Sequence, residues 1–583
     1  MNQSEIRNRK SSNLSRLQII GWGLCIAGFL ITIRLFYIQV IQHGKYSKLA
    51  DNEQTKKFEI PAKRGEILAK DGSELVPLVL NEPAYIIYAD PRIVANFEKT
   101  ADLLAPLLSR DKNELIKLLS SRKTSYVSLE RQASSELANK IRSLKLKGIG
   151  QTEISKRVYP EGNLAAHVLG FVNNDGQGQY GIEQAMNKRI GGRKGQLNGA
   201  TDIRGIPIAT EGSVVKQPKD GDDIILTIDR SIQTQAEFFL KKGLKNARST
   251  SGSILVMEPQ TGRVVALANA PTFNPEDYSK QKDASVFQNT AITSAYEPGS
   301  VVKVFTMSAA LNEGVITPET TYLDYSKRII DGYTIKNTGP VVTKQRSMTE
   351  VITKSANTGT IFALEQLGGG DINSKAKETL HGYFTDRFRF GSVTGIEQTG
   401  ESAGFVLKPQ NAPDVNYANM SFGQGVSMSM IQLATGLSAI ANNGTYYKPT
   451  LIDSYRNEKG VEKKNKPVVV AENIIKAKTA DQVKAMMETV VTQGTARSAA
   501  RAGYRIGAKT GTAEVAKADG GYYDDREIGS VFGITPLESA RYVIIVRVDN
   551  PKIAGAVGSA AAVPIFAEMN NWLIDYYGIL PTE

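Results

Sequence analysis

Three short stretches of this 583-residue chain hold side chains whose types and spacing suit nucleophilic chemistry: Ser300 and Lys303 in EPGSVVKV, Ser355 and Asn357 in TKSANTG, and Lys509, Thr510, Gly511 and Thr512 in AKTGTAEV. A serine hydroxyl is a weak nucleophile until a neighbouring base takes its proton. A lysine amine can do so only when it is neutral, and Val302, Val304 and Phe305 around Lys303 would desolvate its ammonium and lower its pKa. Ser-x-x-Lys alone discriminates little, since it recurs along the chain, at Ser120, Ser213, Ser279, Ser300 and Ser374 among others. Ser213 is followed by Pro218 and DGDD, so no helix brings Lys216 onto its face, and the stretch reads as a loop. Ser300 follows Pro-Gly and opens VVKVFTMSAALNEG, an expected helix to Gly314 on which positions i and i+3 are neighbours. The start of such a helix favours an oxyanion. A serine N-cap on a buried helix accounts for Ser300 equally well.

The other two stretches shift that balance. Ser355 and Asn357 are two apart, which no single helix places on one face; two helices meeting at a turn would, with Asn357 at the start of the second. Capping alone is the other reading of Asn357. IGAKTGTAEV reads as a strand on which alternation groups Thr510 with Thr512, and the bare Cα of Gly511 would let an extended substrate lie against it, or else mark a bulge. The three stretches occur in this order in one part of the chain, which weighs more than any of them alone.

The elements that must position these residues are legible in outline. Apolar residues make up 41% and charged residues 22%, ordinary globular values, and the length calls for two or three domains. Leu17 to Ile33 carries no charge and the apolar run resumes after Arg34 to Ile41, long enough to span a bilayer. Arg7, Arg9, Lys10 and Arg16 precede it against Glu5 alone, so residues 1–16 are expected in the cytoplasm and the remainder outside. A cleaved signal peptide would have a shorter apolar stretch and a small-residue cleavage site, whereas RLFYIQVIQHGKY follows here. Arg34 is expected to snorkel to the interface. Cys25 lies in this run, so the rest of the chain has no disulfide. His43, His167 and His381 are scattered, without HExxH or CxxC, which excludes an obvious metal site. The net charge of +12 suits an anionic membrane or wall polymer, or simply a solvated basic surface; no nucleic-acid motif is present.

The expected domains are an anchor at 17–41, an elongated α+β region at 42–219 and a larger α/β (α+β) domain at 220–583. In the first region strand-like KKFEIPA and AYIIYAD alternate with helical KNELIKLLSS and SSELANKIRSLKL. VKQPKDGDD reads as a linker, DIILTID as a strand and SIQTQAEFFLKKGLK as a helix. RIGAKTGTAEV, GSVFGITP and RYVIIVRVDNP read as three strands before a last helix from about Ala561 to Tyr577, favouring an antiparallel sheet covered by helices.

SVVK, SAN and KTG in this order resemble the three active-site motifs of the penicillin-binding proteins and serine β-lactamases. YEPGSVVK, FGQGVSMSMIQLATGLSAIANNGTYYKP and KTGTAE are similar to the transpeptidase domain of class B penicillin-binding proteins, and RGEILAKDG and YPEGNLAAHVLGFVNNDGQGQYGIE to their dimerisation-type pedestal. Two departures stand out: Ala69-Lys70 where the family usually has Asp-Arg, and Ser429-Met430 where it has Thr-Pro. The resemblance implies a serine acyl-enzyme D,D-transpeptidase without metal or organic cofactor. Ser300 would attack the bond between two D-alanines of a peptidoglycan stem peptide and Lys303 would accept its proton. Ser355 would protonate the leaving D-alanine, with Lys509 polarising Ser355, while Asn357 holds the substrate amide. Thr510 and Thr512 would bind the terminal carboxylate beside Gly511, and the N–H groups of Ser300 and Thr512 would form the oxyanion hole.

The resemblance also implies β-lactams as covalent inhibitors, and a membrane-embedded glycosyltransferase of the SEDS type and other division proteins as partners, at the division site. AAHVLGFVNNDGQGQYGIEQAMN looks closer to the division type than to the elongation type. A β-lactamase or penicillin sensor would share the motifs, but the anchor and pedestal favour the synthase; an inactive division scaffold is the non-enzymatic reading, against which the three intact motifs stand. GESAG at Gly400 to Gly404 mimics a hydrolase elbow, yet no histidine follows Ser402 and FVLKPQ does not continue as a helix.

Overall fold

The computed structural model describes residues 3–46, 55–60, 62–200, 214–517, 521–553 and 558–582. Ser213 therefore lies outside the described residues. Residues cluster into two units, 1–62 with 193–219, and 63–192 with 220–583. In the first, helix α1 (Gln3–Phe36) runs into a π-helical turn at Tyr37–Ile41. Its Leu17–Ile41 span of 25 residues is long and apolar enough to cross a membrane. The Arg34 guanidinium lies 5.9 Å from the centre of the Tyr37 ring. Thr55–Ile60, Gly195–Ala200 and Val214–Lys216 form a three-stranded antiparallel sheet in the same unit.

The second unit holds two larger sheets. One contains β1 (Ile67–Asp71), β2 (Glu74–Ala89), β3 (Val127–Ser134), β4 (Ile149–Val158) and β5 (Asp223–Asp229), joined far along the chain by Ile452–Arg456 and Glu462–Lys464. The stretch read as a linker is not a free one. Lys63 N donates to Asp220 Oδ1 at 2.9 Å, Gly221 N to Lys63 O at 2.9 Å, and Arg189 Nε to Asp222 Oδ2 at 2.8 Å. Acids that cannot enter a core here accept from neighbouring donors, and β5 pairs in parallel with β1.

Helix α2 (Arg230–Ala247) follows, capped at Asp229, whose side chain accepts from Ile232 N. The second sheet opens with β6 (Ser251–Glu258) and β7 (Arg263–Ala270). Helices α3 (Lys303–Asn312), α4 (Met348–Lys354), α5 (Asn357–Leu367), α6 (Met430–Ala441) and α7 (Ala477–Thr492) come before β8 (Gly507–Ala516), β9 (Tyr522–Thr535), β10 (Tyr542–Asp549) and the last helix, α8 (Ser559–Tyr576). The order is β7-β6-β10-β9-β8, antiparallel throughout, so the expected antiparallel sheet under helices is present. The β6–β7 hairpin was not among the expected strands; both are buried on both faces and lack the alternation that marks a half-exposed strand. Phe532 and Gly533 are consecutive on β9 and so face opposite ways. Phe532 stacks edge-on with Phe305 of α3, while Gly533 lies under the Phe566 ring of α8. The sheet is thus covered by α3 on one face and α8 on the other. Every residue of α3 and of α6 is buried.

Candidate active site

Ser300 lies in a 3-10 turn, Gly299–Val302, that leads directly into α3. Gly299 has φ 61°, and a Cβ there would stand 2.5 Å from the carbonyl oxygen of Thr512, so only glycine lets the turn lean on β8. A Cβ on Gly511 would fall 2.5 Å from Ser530 Oγ and 2.7 Å from Pro298 O. The bare Cα of Gly511 therefore admits the turn that carries Ser300; the expectation that it makes room for substrate gives way to this close backbone approach. On its other side the turn is held by the 423–428 segment: Gly299 N donates to Gly423 O at 3.1 Å, and Tyr296 and Met428 exchange backbone bonds of 3.0 and 2.9 Å.

Ser355 caps α4 in the left-handed conformation, φ 58° and ψ 41°, and Asn357 begins α5, the two-helix turn that the spacing required. The turn presents both side chains to Lys303. Its Nζ donates to Ser355 O at 2.5 Å and Asn357 Oδ1 at 2.7 Å, and lies 3.3 Å from Ser355 Oγ. Lys509 on β8 places its Nζ 3.0 Å from the same Ser355 Oγ and donates to Thr510 O at 2.9 Å. Both lysines have no exposed surface. Burial, and after it the repulsion of Lys509, holds the Lys303 amine well below the usual lysine range. Burial brings Lys509 down to about 7. The half-buried Ser300 hydroxyl makes no hydrogen bond with Lys303 among the described residues; Nζ is turned to Ser355 and Asn357 instead. Such bonds often close only when substrate arrives.

Comparison with Ser374 and Lys377 shows why the motif alone is insufficient. Ser374 also begins a helix, Ser374–Gly382, but Lys377 pairs with Asp414 at 2.5 Å and donates to Ala412 O at 2.7 Å. That amine is therefore already engaged by a carboxylate and a carbonyl. Among the described residues, Lys303 has no carboxylate as a hydrogen-bond partner. Ser402 lies outside any helix or strand, so the GESAG decoy has no elbow.

Thr510 is buried, and its Oγ1 lies 2.6 Å from Thr495 Oγ1, while Thr512 is partly exposed and its Oγ1 accepts from Ser559 N at 3.3 Å. β8 is the edge strand of its sheet, so its outer side is open to an extended peptide. Sequence reasoning missed Thr495, and also Glu297, which sits in the quoted motif itself. Glu297 accepts from Gly425 N and Tyr522 OH, each at 3.0 Å, tying the turn to the 423–428 segment and to the start of β9. The two departures from the family pattern are accommodated. Ser429 caps α6 in a capping box with Gln432, as threonine would, and Lys70 pairs with Asp453 at 3.2 Å.

Residues 252–571 match the family model for the penicillin binding protein transpeptidase domain, and residues 59–226 that for the penicillin-binding protein dimerisation domain. Stage V sporulation protein D of Bacillus subtilis is 33% identical over 96% of this chain and 85% of its own length. The peptidoglycan D,D-transpeptidase FtsI of Escherichia coli strain K12 is 29% identical over 94% of this chain and 89% of its own. Among solved structures, penicillin binding protein 3 of Mycobacterium tuberculosis complexed with aztreonam superimposes with a TM-score of 0.69 at 25% identity, covering 90% of this chain and 98% of that one.

Proposed function

Because this chain belongs to the class B penicillin-binding proteins and is a peptidoglycan D,D-transpeptidase, we propose that Ser300 is its nucleophile and Lys303 the base that activates it. The observation that carries this is the fully buried Lys303 amine, without a carboxylate partner among the described residues and bonded to the Ser355-x-Asn357 turn. Ser300 Oγ attacks the carbonyl between the two terminal D-alanines while its proton passes to Lys303 Nζ. The oxyanion is met by the N–H groups of Ser300 and Thr512. Ser355, held between Lys303 and Lys509, hands a proton to the departing D-alanine nitrogen, and the C–N bond breaks. Thr510 and Thr512 hold the terminal carboxylate, and one N–H of Asn357 holds the substrate amide. An amine of a second stem peptide then displaces Ser300 from the acyl group, forming the cross-link; β-lactams stop at the acyl-enzyme.

We assign residues 42–219 to the pedestal and 220–583 to the transpeptidase domain, in keeping with the limits of the two matched models. The N-terminal apolar helix supports a single-pass membrane anchor, and the basic residues before the span support residues 1–16 lying on the cytoplasmic side. The process served is septal wall synthesis, beside a SEDS-type glycosyltransferase, supported by likeness to the FtsI relatives. A second reading, wall synthesis during sporulation, has in its favour the 33% identity to stage V sporulation protein D. Depletion distinguishes them: filaments or chains without septa support the first, normal vegetative division with failed spores the second.

The site assignment is tested by incubation with a fluorescent penicillin and peptide mapping of the adduct. The label is expected on Ser300, absent in Ser300→Ala, and retained in Ser213→Ala and Ser402→Ala. Labelling that survives Ser300→Ala overturns it.

A further inference from the structure

Residues 321–347 form two short antiparallel ladders, Thr321–Asp324 with Lys344–Ser347 and Lys327–Ile330 with Tyr333–Lys336, which the reaction described above does not use. At their buried end Asp324, with no exposed surface, pairs with Arg346 at 2.8 Å. Asp324 Oδ1 also accepts from Ser326 N and Thr358 Oγ1, both at 2.8 Å, and Asn337 Nδ2 donates to its two oxygens at 3.2 and 3.1 Å. Asn337 Oδ1 in turn accepts from Thr358 N at 3.0 Å. One residue back on each side, the carbonyl of Lys336 accepts from Asn357 Nδ2 at 2.8 Å. Two consecutive residues of the excursion thus hold the first two residues of α5, Lys336 on Asn357 and Asn337 on Thr358.

The consequence is an orientation. A carboxamide has an acceptor at one end and donors at the other, and its rotation is fixed only when both ends are matched. With one N–H of Asn357 given to Lys336 O, its Oδ1 faces Lys303 Nζ at 2.7 Å, and the second N–H is left for a ligand. We propose that Asp324, acting through Asn337 and Thr358, is a positioning residue of this active site: it fixes the amide of Asn357 and thereby the protonation of the base Lys303. Burial opposes ionisation of Asp324, but its bonds from Ser326, Thr358 and Arg346 outweigh this and hold the carboxyl below its usual range. A buried charge so fully satisfied makes a rigid base for the turn.

The inference rests on Lys303 as the base. The charged group facing Lys303 is Lys509 of β8; Ser355 and Asn357 face it from the turn, and the Phe422 ring lies 6.0 Å away. Arg346 and the Tyr322 phenol are the titratable groups acting on Asp324 and Thr358. An acceptor on Nζ stabilises its ammonium, so losing the aim of Asn357 Oδ1 lowers the Lys303 pKa further.

The test measures acylation of the full chain in detergent by a fluorescent penicillin across pH. Asp324→Asn is expected to acylate about tenfold more slowly, with the acid limb of the profile displaced to lower pH. Because that variant also strips Arg346 of its counter-charge, the decisive pair is Thr358→Val, expected to behave likewise, against Thr358→Ser, expected to restore both rate and limb. Thr358→Val with the rate and acid limb of Thr358→Ser overturns the proposal, as does slowing that tracks the unfolded fraction without a displaced limb. Failure of the underlying assignment shows separately, as a Lys303→Arg variant acylated like the parent.

Discussion

Lys303 and Lys509 both lie without exposed surface and flank one hydroxyl, that of Ser355, yet they differ in what surrounds them. Lys303 is pressed by burial and by a neighbouring cation, Lys509 by burial alone. Lys303→Arg keeps the charge but raises the pKa beyond use as a base. Its acylation by fluorescent penicillin is expected to slow at least about a hundredfold, the lower end of what general-base catalysis contributes; a near-normal rate would leave Lys303 a packing residue. Lys509 also makes a stability prediction. Its folded pKa of about 7 lies below the unfolded value of 10.5, so between those pH values the unfolded chain binds the extra proton and stability rises with pH. From pH 7 to 9 the unfolding free energy in urea is expected to rise by about 2 kcal/mol more in the parent than in Lys509→Met, which has no proton to lose. Identical pH dependence in the two would refute a depressed Lys509.

At the scale of elements, the proposed nucleophile depends on three segments meeting without side chains between them. The Gly299–Val302 turn leans on β8 at Gly511 and Thr512 and on the 423–428 segment at Gly423. Glu297 ties the same turn to the 423–428 segment through Gly425 N and to the start of β9 through Tyr522 OH. Burial, opposed by those two bonds and assisted by the Glu514 charge, raises its pKa, so the tether is a carboxyl at some cost to its charge. Glu297→Ala removes both bonds and leaves the core untouched. Acylation is expected to slow by about tenfold, what one or two such bonds are worth, with the thermal midpoint nearly unchanged. A parallel drop in the midpoint would instead mark Glu297 as a support of the fold.

At the scale of the whole molecule, a span long enough to cross a membrane precedes a unit with its own continuous core. A chain lacking residues before Gln42 is expected to be soluble and to react with penicillin at the parent rate, yet to fail to replace the full chain in cells. Full complementation would remove any role for the proposed membrane partnership.

The sequence alone determined the chemistry and its candidates. The three motifs, the two-helix turn at Ser355 and Asn357, the strand with Lys509 and the apolar span are all local patterns, set by spacings of a few residues or by a run of one composition. What it left open was decided by contacts between distant segments. Which Ser-x-x-Lys is buried without a carboxylate depends on Asp414 reaching Lys377 and, among the described residues, no acid reaching Lys303. The reason for Gly511 lies in Pro298 and Ser530, far away in the chain. The β6–β7 hairpin escaped notice because strands buried on both faces carry no alternation to read. The last acids of the apparent linker, Asp220 and Asp222, became part of the packed unit because they found Lys63 and Arg189, partners that no window of sequence contains. Burial and long-range pairing are properties of the closed chain, and they alone distinguish one cheap four-letter motif from another.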